Sequence, residues 1–407
     1  MEFTIPLLHD HHNHLNTYSA FSAAIDLYDI KNNKDAIAAI ESKISKKGFT
    51  IAIGWNNSVY DLYEEDFNHL PPTIICNLSL HQYIINQAAK NIISESNPEI
   101  LTNFKSSDLL EKNLPYILAF ITNLIPFDKT TVNSFIKKLE SQGIYKIDDM
   151  FITSKYHLDY IADSELNSRL INWCSFDFYN ELTIQQKNQI YGIKLFTDGA
   201  LGSSTAALKH GYLKTNGNGI LTESDESLTQ NLEKAFNLDL PLAIHAIGDR
   251  ATEQIASVLK TLYKQIKNPI RIEHCQFIDK NTARIYKDLG IILSMQPNFN
   301  YDSVYYSDRL NNFYKETNNP FRMLIDDFKF EAGKDLLLGS DGMPHGVEFA
   351  VNQSLFPPYN GQQLTLEEFQ KAYCMNNTNK GEIKLNINQK ERKVQIKEII
   401  KAQKTSC

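Results

Sequence analysis

A chain of 407 residues, 42% of them hydrophobic and 22% charged, can bury a large core, enough for one big domain with insertions or for two or three ordinary ones. A net charge of -7 with dispersed Lys and Arg argues against nucleic acid as the main partner, and no apolar run approaches the roughly 20 residues of a membrane helix. No basic segment leads into an apolar stretch and a cleavage site. The five cysteines (Cys76, Cys174, Cys275, Cys374, Cys407) are scattered without a CxxC, so the expectation is a reduced, cytoplasmic protein without an export signal.

The chain opens with an apolar run, Phe3 to Leu8, of a length that suits one buried strand, and then places four histidines within six residues, His9, His11, His12 and His14. Alternation along a strand turns His12 and His14 one way and His11 and Asn13 the other. Two imidazoles on one face are half of a metal site. Asn33 to Lys47 has the periodicity of an amphipathic helix, Phe49 to Trp55 and Thr73 to Leu78 read as strands, and two or three helices follow to about Ser141. Residues 16–142 therefore form a candidate inserted α/β subdomain, a lid after the first strand.

From about Gly143 short apolar runs alternate with polar helical stretches: Ile144 to Ile152, Leu170 to Phe176, Ile190 to Phe196, Leu240 to Ile247, Ile270 to Phe277, Ile291 to Met295 and Leu336 to Leu338. With the opening strand these make eight, the number expected of a (β/α)8 TIM barrel, whose strand ends carry the chemistry at one rim. The barrel is expected over residues 1–375, and residues 376–407 as a C-terminal hairpin and tail.

Four later runs lead to residues able to bind a metal: Lys194, His245, His274 and Asp341. On barrel strands they would gather at the rim that holds His12 and His14. Such a site suits hydrolysis: a divalent ion, one or two in number and zinc by preference, lowers the pKa of a bound water and polarises the carbonyl under attack. Asp341 is placed to take the water's proton and return it to the leaving group. A desolvated lysine amine can take up carbon dioxide, and a carbamate on Lys194 could bridge two ions; unmodified, it is a cation beside one. Taken singly, each histidine reads as an ordinary strand-end residue and Asp341 as a helix cap; only their joint placement favours ligands.

These residues also form ordered motifs. His12-Asn13-His14, Ile193 through Ser203, His245-Ala246-Ile247-Gly248-Asp249, Arg271-Ile272-Glu273-His274 and Gly339-Ser340-Asp341 resemble the amidohydrolase superfamily, specifically amidohydrolase family 3. The resemblance extends to Gly54-Trp55, to His81 and to Gly143 through Met150, and covers most of residues 5–375. It implies a (β/α)8 barrel with a mono- or binuclear metal centre that hydrolyses an amide or related C–N or ester bond. His12, His14, His245, His274 and Asp341 match the metal positions and Lys194 the lysine that is often carboxylated. Two departures stand out. Few residues precede the first strand, so the family's small β-sandwich is expected to be absent or vestigial, with the C-terminal hairpin as its remnant, and Ser204 stands where the family usually has an arginine.

His81, Trp55 and His345 are candidate substrate contacts, His81 through the resemblance alone, Trp55 against the commoner role of a core tryptophan, and His345 from its place on a rim loop. His11 is better read as packing or solvated. Asp198-Gly199 reads as a turn and Asp249-Arg250 as a helix cap. The expected partner is a small molecule, with no nucleic acid or membrane and with a homodimer as a further expectation. A deaminase or an ester or lactone hydrolase stays open as an alternative, as does a non-catalytic ligand-binding or regulatory protein.

Overall fold

The computed structural model describes residues 1–45, 48–78, 80–215 and 217–402. Cys407 and Lys47, the end of the expected first helix, lie outside them; that helix spans Asn33–Glu41. The opening apolar run is not one strand. It divides into β1 (Glu2–Pro6) and β2 (Leu8–Asn13). Proline has no N–H to continue a ladder, and the break falls directly after Pro6. Beyond it the Leu8 N–H turns to Gly143 O at 2.8 Å.

Contacts divide the chain into two compact units, Asn16–Phe135 and the remainder, Met1–Leu15 with Ile136–Cys407. The first holds a four-stranded sheet of β3 (Ile25–Asp26), β4 (Thr50–Trp55), β5 (Thr73–Asn77) and β6 (Tyr83–Ile85), in that order. Helices follow at Gln87–Ser96, Pro98–Asn103, Ser107–Lys112, Leu114–Leu124 and Lys129–Ser141, five where two or three were expected. Pro98 and Pro115 each sit in a helix's first turn, where a missing N–H costs nothing. Along β4, Ile51 and Ile53 enter one apolar cluster with Ile74, Ile93 and Ile117, while Ala52 enters another with Ile40, Phe67 and Ile75. Gly54, at φ 88°, marks a register shift that brings Trp55 onto the Ala52 side.

The second unit holds the eight-stranded parallel sheet. β7 (Ile144–Asp149), β8 (Leu170–Cys174), β9 (Ile190–Phe196), β10 (Leu242–Ala246), β11 (Ile270–His274), β12 (Ile292–Met295) and β13 (Leu336–Leu338) follow β2 in sequential order. All seven later runs therefore form strands, within a few residues of the expected bounds. The Asp341 N–H reaches back to His12 O at 2.7 Å, which brings the first and eighth strand ends together. The result is the (β/α)8 barrel, with helices such as Asp249–Leu262 and Lys280–Asp288 between strands. The Asp279 side chain caps the latter through the Thr282 N–H at 2.8 Å.

β14 (Gly381–Asn388) and β15 (Lys393–Lys401) form the expected hairpin, and β1 joins it to make a three-stranded antiparallel sheet. The segment expected to start the barrel thus supplies an edge of this small sheet. The N–H groups of Val394 and Ile396 on β15 are taken by Asn352 Oδ1 and Glu348 Oε2, each at 3.0 Å, so side chains of the helix Val347–Leu355 occupy part of that open edge. No helix among the described residues is long and apolar enough to cross a membrane.

Candidate metal centre

The site is built on β2, β9, β10 and β11 and on the segment that follows β13. The register of β2 against β7 shifts between Asp10 and Asn13, and His12 is fully buried on the same side as Leu8 and Asp10. The rings of His12 and His14 stand 5.3 Å apart, and Nε2 of His12 and of His14 lie 3.6 and 3.2 Å from Asp341 Oδ1. On β11, simple alternation would send Glu273 and His274 to opposite faces. Both nevertheless meet His12, because His274 takes a left-handed backbone at φ 70°. Asp341, at φ 53°, is held in the same region. Non-glycine residues in this conformation store strain that the surroundings must hold, and such residues cluster at functional sites.

Donor atoms of His12, His274 and Asp341 all lie within 4.8 Å of one another. The His274 ring is 4.6 Å from that of His12 and 4.5 Å from that of His245. His245 Nε2 faces Gly199 O at 3.1 Å and Asp198 Oδ1 at 3.4 Å. Lys194 lies within β9 rather than at its end, and its Nζ is buried with no hydrogen-bond partner. The structure therefore brings His12, His14, His274 and Asp341 into direct proximity, sets His245 beside His274, and buries Lys194 where Glu273 and Asp341 act on its charge.

Electrostatics favour the forms that ligate. Burial, with the nearby Lys194 and the neighbouring imidazoles, holds His12 and His274 well below the usual histidine value, so both are neutral and carry a lone pair at pH 7. Burial works to raise the Asp341 carboxyl, but His12, His14 and Lys194 outweigh it and keep the group below its ordinary value. Burial brings the Lys194 amine down to about 8, against the opposing pull of Glu273 and Asp341. A lysine with an accessible neutral form is what carbamate formation requires.

The candidate substrate contacts fall as follows. His345, in the loop after β13, is lowered to about 4 by burial and by Lys138, and it senses Asp341 and His14. Trp55 is 6% exposed in the apolar core of the 16–135 unit, and its indole N–H donates to Tyr60 O at 3.0 Å. His81 lies between β5 and β6, its backbone N–H on Asn77 Oδ1 at 3.0 Å. Ser204 has a left-handed backbone, φ 60°.

Sequence reasoning missed the residues that support the candidate ligands. Glu273 Oε2 lies 2.6 Å from His12 Nδ1, and Arg271 Nε donates to Glu273 Oε1 at 2.9 Å. Arg271 continues to Asp148 Oδ2 at 2.5 Å and to Ser294 Oγ at 3.0 Å. Gln296 Oε1 meets His274 Nδ1 at 2.9 Å. Asp198, read as part of a turn, accepts from the N–H groups of Ala207, Ile247 and Gly248 at 2.8–3.0 Å. The available signal was the alternation Arg271, Glu273 within an otherwise apolar strand. A second His and Asp cluster, His9, His11 and Asp148, has His9 Nε2 at 2.7 Å from Asp148 Oδ1 and the two rings tilted by 39° with centroids 3.7 Å apart. Arg271 already supplies the countercharge of Asp148, and a guanidinium there opposes a dication. This cluster belongs to the buried ion network.

Comparison with known proteins agrees with this geometry. The profile described as "Amidohydrolase family" matches residues 2–346. A Bacillus subtilis (strain 168) protein assigned as an amidohydrolase, YtcJ, is 24% identical over 328 residues, 71% of this chain and 61% of that one. The chain thus spans about three fifths of that relative's length. Protein LONG AFTER FAR-RED 3 of Arabidopsis thaliana is 34% identical over 110 residues, 26% of this chain and 19% of that protein. Among solved structures, uncharacterized metal-dependent hydrolases of Pyrococcus horikoshii OT3 and Pyrococcus furiosus superpose with TM-scores of 0.66 and 0.67 at 21% and 18% identity. The matches cover 87% and 91% of this chain and 74% and 80% of those chains, and at that identity they speak for the fold.

Proposed function

Because this chain belongs to the amidohydrolase family, we propose that it is a metal-dependent hydrolase that cleaves an amide C–N bond of a small molecule. The observation that carries the reading is the convergence of His12, His274 and Asp341 donor atoms within 4.8 Å, with His14 Nε2 3.2 Å from the same carboxylate. The residues fit a divalent ion: two buried imidazoles are neutral, one carboxylate is ionised, and the buried Nε2 of His12 has no hydrogen-bond partner. His12, His14, His274 and Asp341 would hold it, with His245 and a carboxylated Lys194 holding a second. Zinc suits a donor set of nitrogen and oxygen.

Such an ion supplies Lewis acidity, drawing electron density from the scissile carbonyl and making water a better nucleophile near pH 7. Asp341 accepts the proton of the attacking water as the C–O bond forms, then passes it to the nitrogen as the C–N bond breaks. His345 takes part as a neutral side chain. A homodimer is a further reading, favoured by the barrel flank that a reduced β-sandwich leaves open. A cytoplasmic setting is supported by four buried, unpaired cysteines.

The test is elemental analysis of protein purified without chelator, joined to intact mass and a screen of N-acyl compounds. About two equivalents of transition metal, a mass gain of one carbon dioxide, and amide hydrolysis abolished by chelator are expected. Protein that takes up no metal after reconstitution overturns the enzyme reading. Turnover of esters, lactones or amino-substituted rings in place of amides would move the reaction class and leave the centre standing.

A further inference from the structure

We infer that Glu273 and Gln296 are positioning residues that decide which nitrogen His12 and His274 present to a metal, and that they do so with unequal strength. The inference rests on the metal-dependent reading of the same site. A neutral imidazole carries one proton, and the partner that accepts it fixes the tautomer and the ring's orientation. Glu273 Oε2 accepts a hydrogen bond from His12 Nδ1–H at 2.6 Å, so the lone pair lies on Nε2, the buried atom without a hydrogen bond. Glu273 is itself held: Arg271 Nε occupies Oε1 at 2.9 Å, while the same guanidinium binds Asp148 at 2.5 Å, His11 O at 2.5 Å and Ser294 Oγ at 3.0 Å.

His274 has the same arrangement with a neutral partner. The Gln296 amide is oriented by its Nε2–H on Ser294 O at 3.3 Å, which turns Oε1 to the Nδ1–H of His274 at 2.9 Å. The Gln296 backbone carbonyl accepts from Asn319 Nδ2 at 2.9 Å, so the residue is fixed from both ends. A bond to a carboxylate is shorter and stronger than one to an amide, and it leaves the opposite nitrogen more electron-rich. The two distances, 2.6 and 2.9 Å, follow that order. His12 is therefore the stronger donor of the pair, and the centre is built around it.

The experiment measures zinc affinity of metal-free protein by competition with a chromophoric chelator, records the absorption spectrum of the cobalt(II) form, and follows thermal unfolding of the metal-free form. Glu273→Gln keeps an acceptor and removes its charge; it is expected to weaken zinc binding by about 10- to 100-fold and to shift the cobalt spectrum. Gln296→Leu is expected to weaken binding less, by about 5- to 10-fold, and Gln296→Glu to bind zinc more than about threefold tighter than the parent. Should Glu273→Gln fail to fold beside Arg271, the two Gln296 variants decide. A parent protein that binds no metal defeats the metal-dependent reading itself. A parent that binds zinc, with Gln296 variants within about threefold of it and an unchanged cobalt spectrum, defeats this inference alone.

Discussion

Asp10 and Ser340, 330 positions apart, are joined twice: Asp10 accepts the Ser340 backbone N–H at 2.7 Å and its hydroxyl at 2.5 Å. Asp10 also accepts from Asn13 Nδ2 at 2.8 Å. All three residues are fully buried, so a single carboxylate ties the first barrel strand to the segment that follows the eighth and sets the backbone on which His12 and Asp341 stand.

Asp10→Ala would leave the Ser340 N–H and hydroxyl and the Asn13 amide without their acceptor in the interior. Leaving a buried neutral donor without its acceptor costs about 1–3 kcal/mol, so a loss of a few kcal/mol is expected. Urea unfolding of the metal-free variant measures it. A loss below about 1 kcal/mol would mean that water or a rearranged Asn13 takes over the bonds.

Asp302 supplies a pH dependence. Burial pushes its carboxyl up to about 7, against one opposing hydrogen bond from Gln276 Nε2 at 2.9 Å. A carboxyl raised on folding binds its proton more tightly in the native state, so stability falls as pH rises from about 4 through about 7 and then levels. Asp302→Asn keeps an acceptor for Gln276 and removes the charge. The melting temperature of the variant is expected to match the parent near pH 4 and to exceed it by a few degrees at pH 8. A difference constant across that range would contradict the assignment.

Gly339 has no room for a side chain. A Cβ there would lie 2.4 Å from the His12 backbone nitrogen and 2.7 Å from His12 Cβ, and backbone cannot swing aside. Gly339→Ala is expected to destabilise the fold by about 1–3 kcal/mol and, by pushing His12 from the cluster, to weaken metal binding as well. Metal titration beside thermal melting separates the two effects; stability lost with affinity intact would show that the strand moves without carrying the imidazole.

The barrel was legible because its strands are buried on both faces and so appear as short apolar runs, from Ile144 to Leu338, whose number and spacing admit few architectures. The candidate ligands stood out because His12, His14, His274 and Asp341 interrupt those runs at their ends. Their supports did not. Glu273 partners a residue 261 positions away and Arg271 one 123 positions away, and a charged side chain in a strand looks like a solvated one until the fold closes around it. The division at Pro6 was equally hidden, since Phe3 to Leu8 is apolar but for Thr4; only the pairing of Phe3 with Leu385 and of Ile5 with Ile383 shows that its first half belongs to another sheet. Trp55 was ambiguous for a related reason: a one-residue register shift at Gly54 decides which face it takes.

The barrel unit is discontinuous in sequence, with β2 at residues 8–13 and the strand that closes against it at 336–338, and this fixes an order of assembly. Residues 16–135 hold their sheet and both apolar clusters within one continuous stretch, so they can become native as soon as they leave the ribosome. The opening strands must wait, paired on one side at most, until more than 300 further residues have been made. Contacts of such span are slow to form and leave apolar edges open meanwhile. In refolding followed by pulsed hydrogen exchange, amides of Thr50–Asn77 should gain protection before those of Leu8–Asn13, and a polar device such as the Asp10 clasp, which gains little until its distant partner arrives, makes that final closure the committed step.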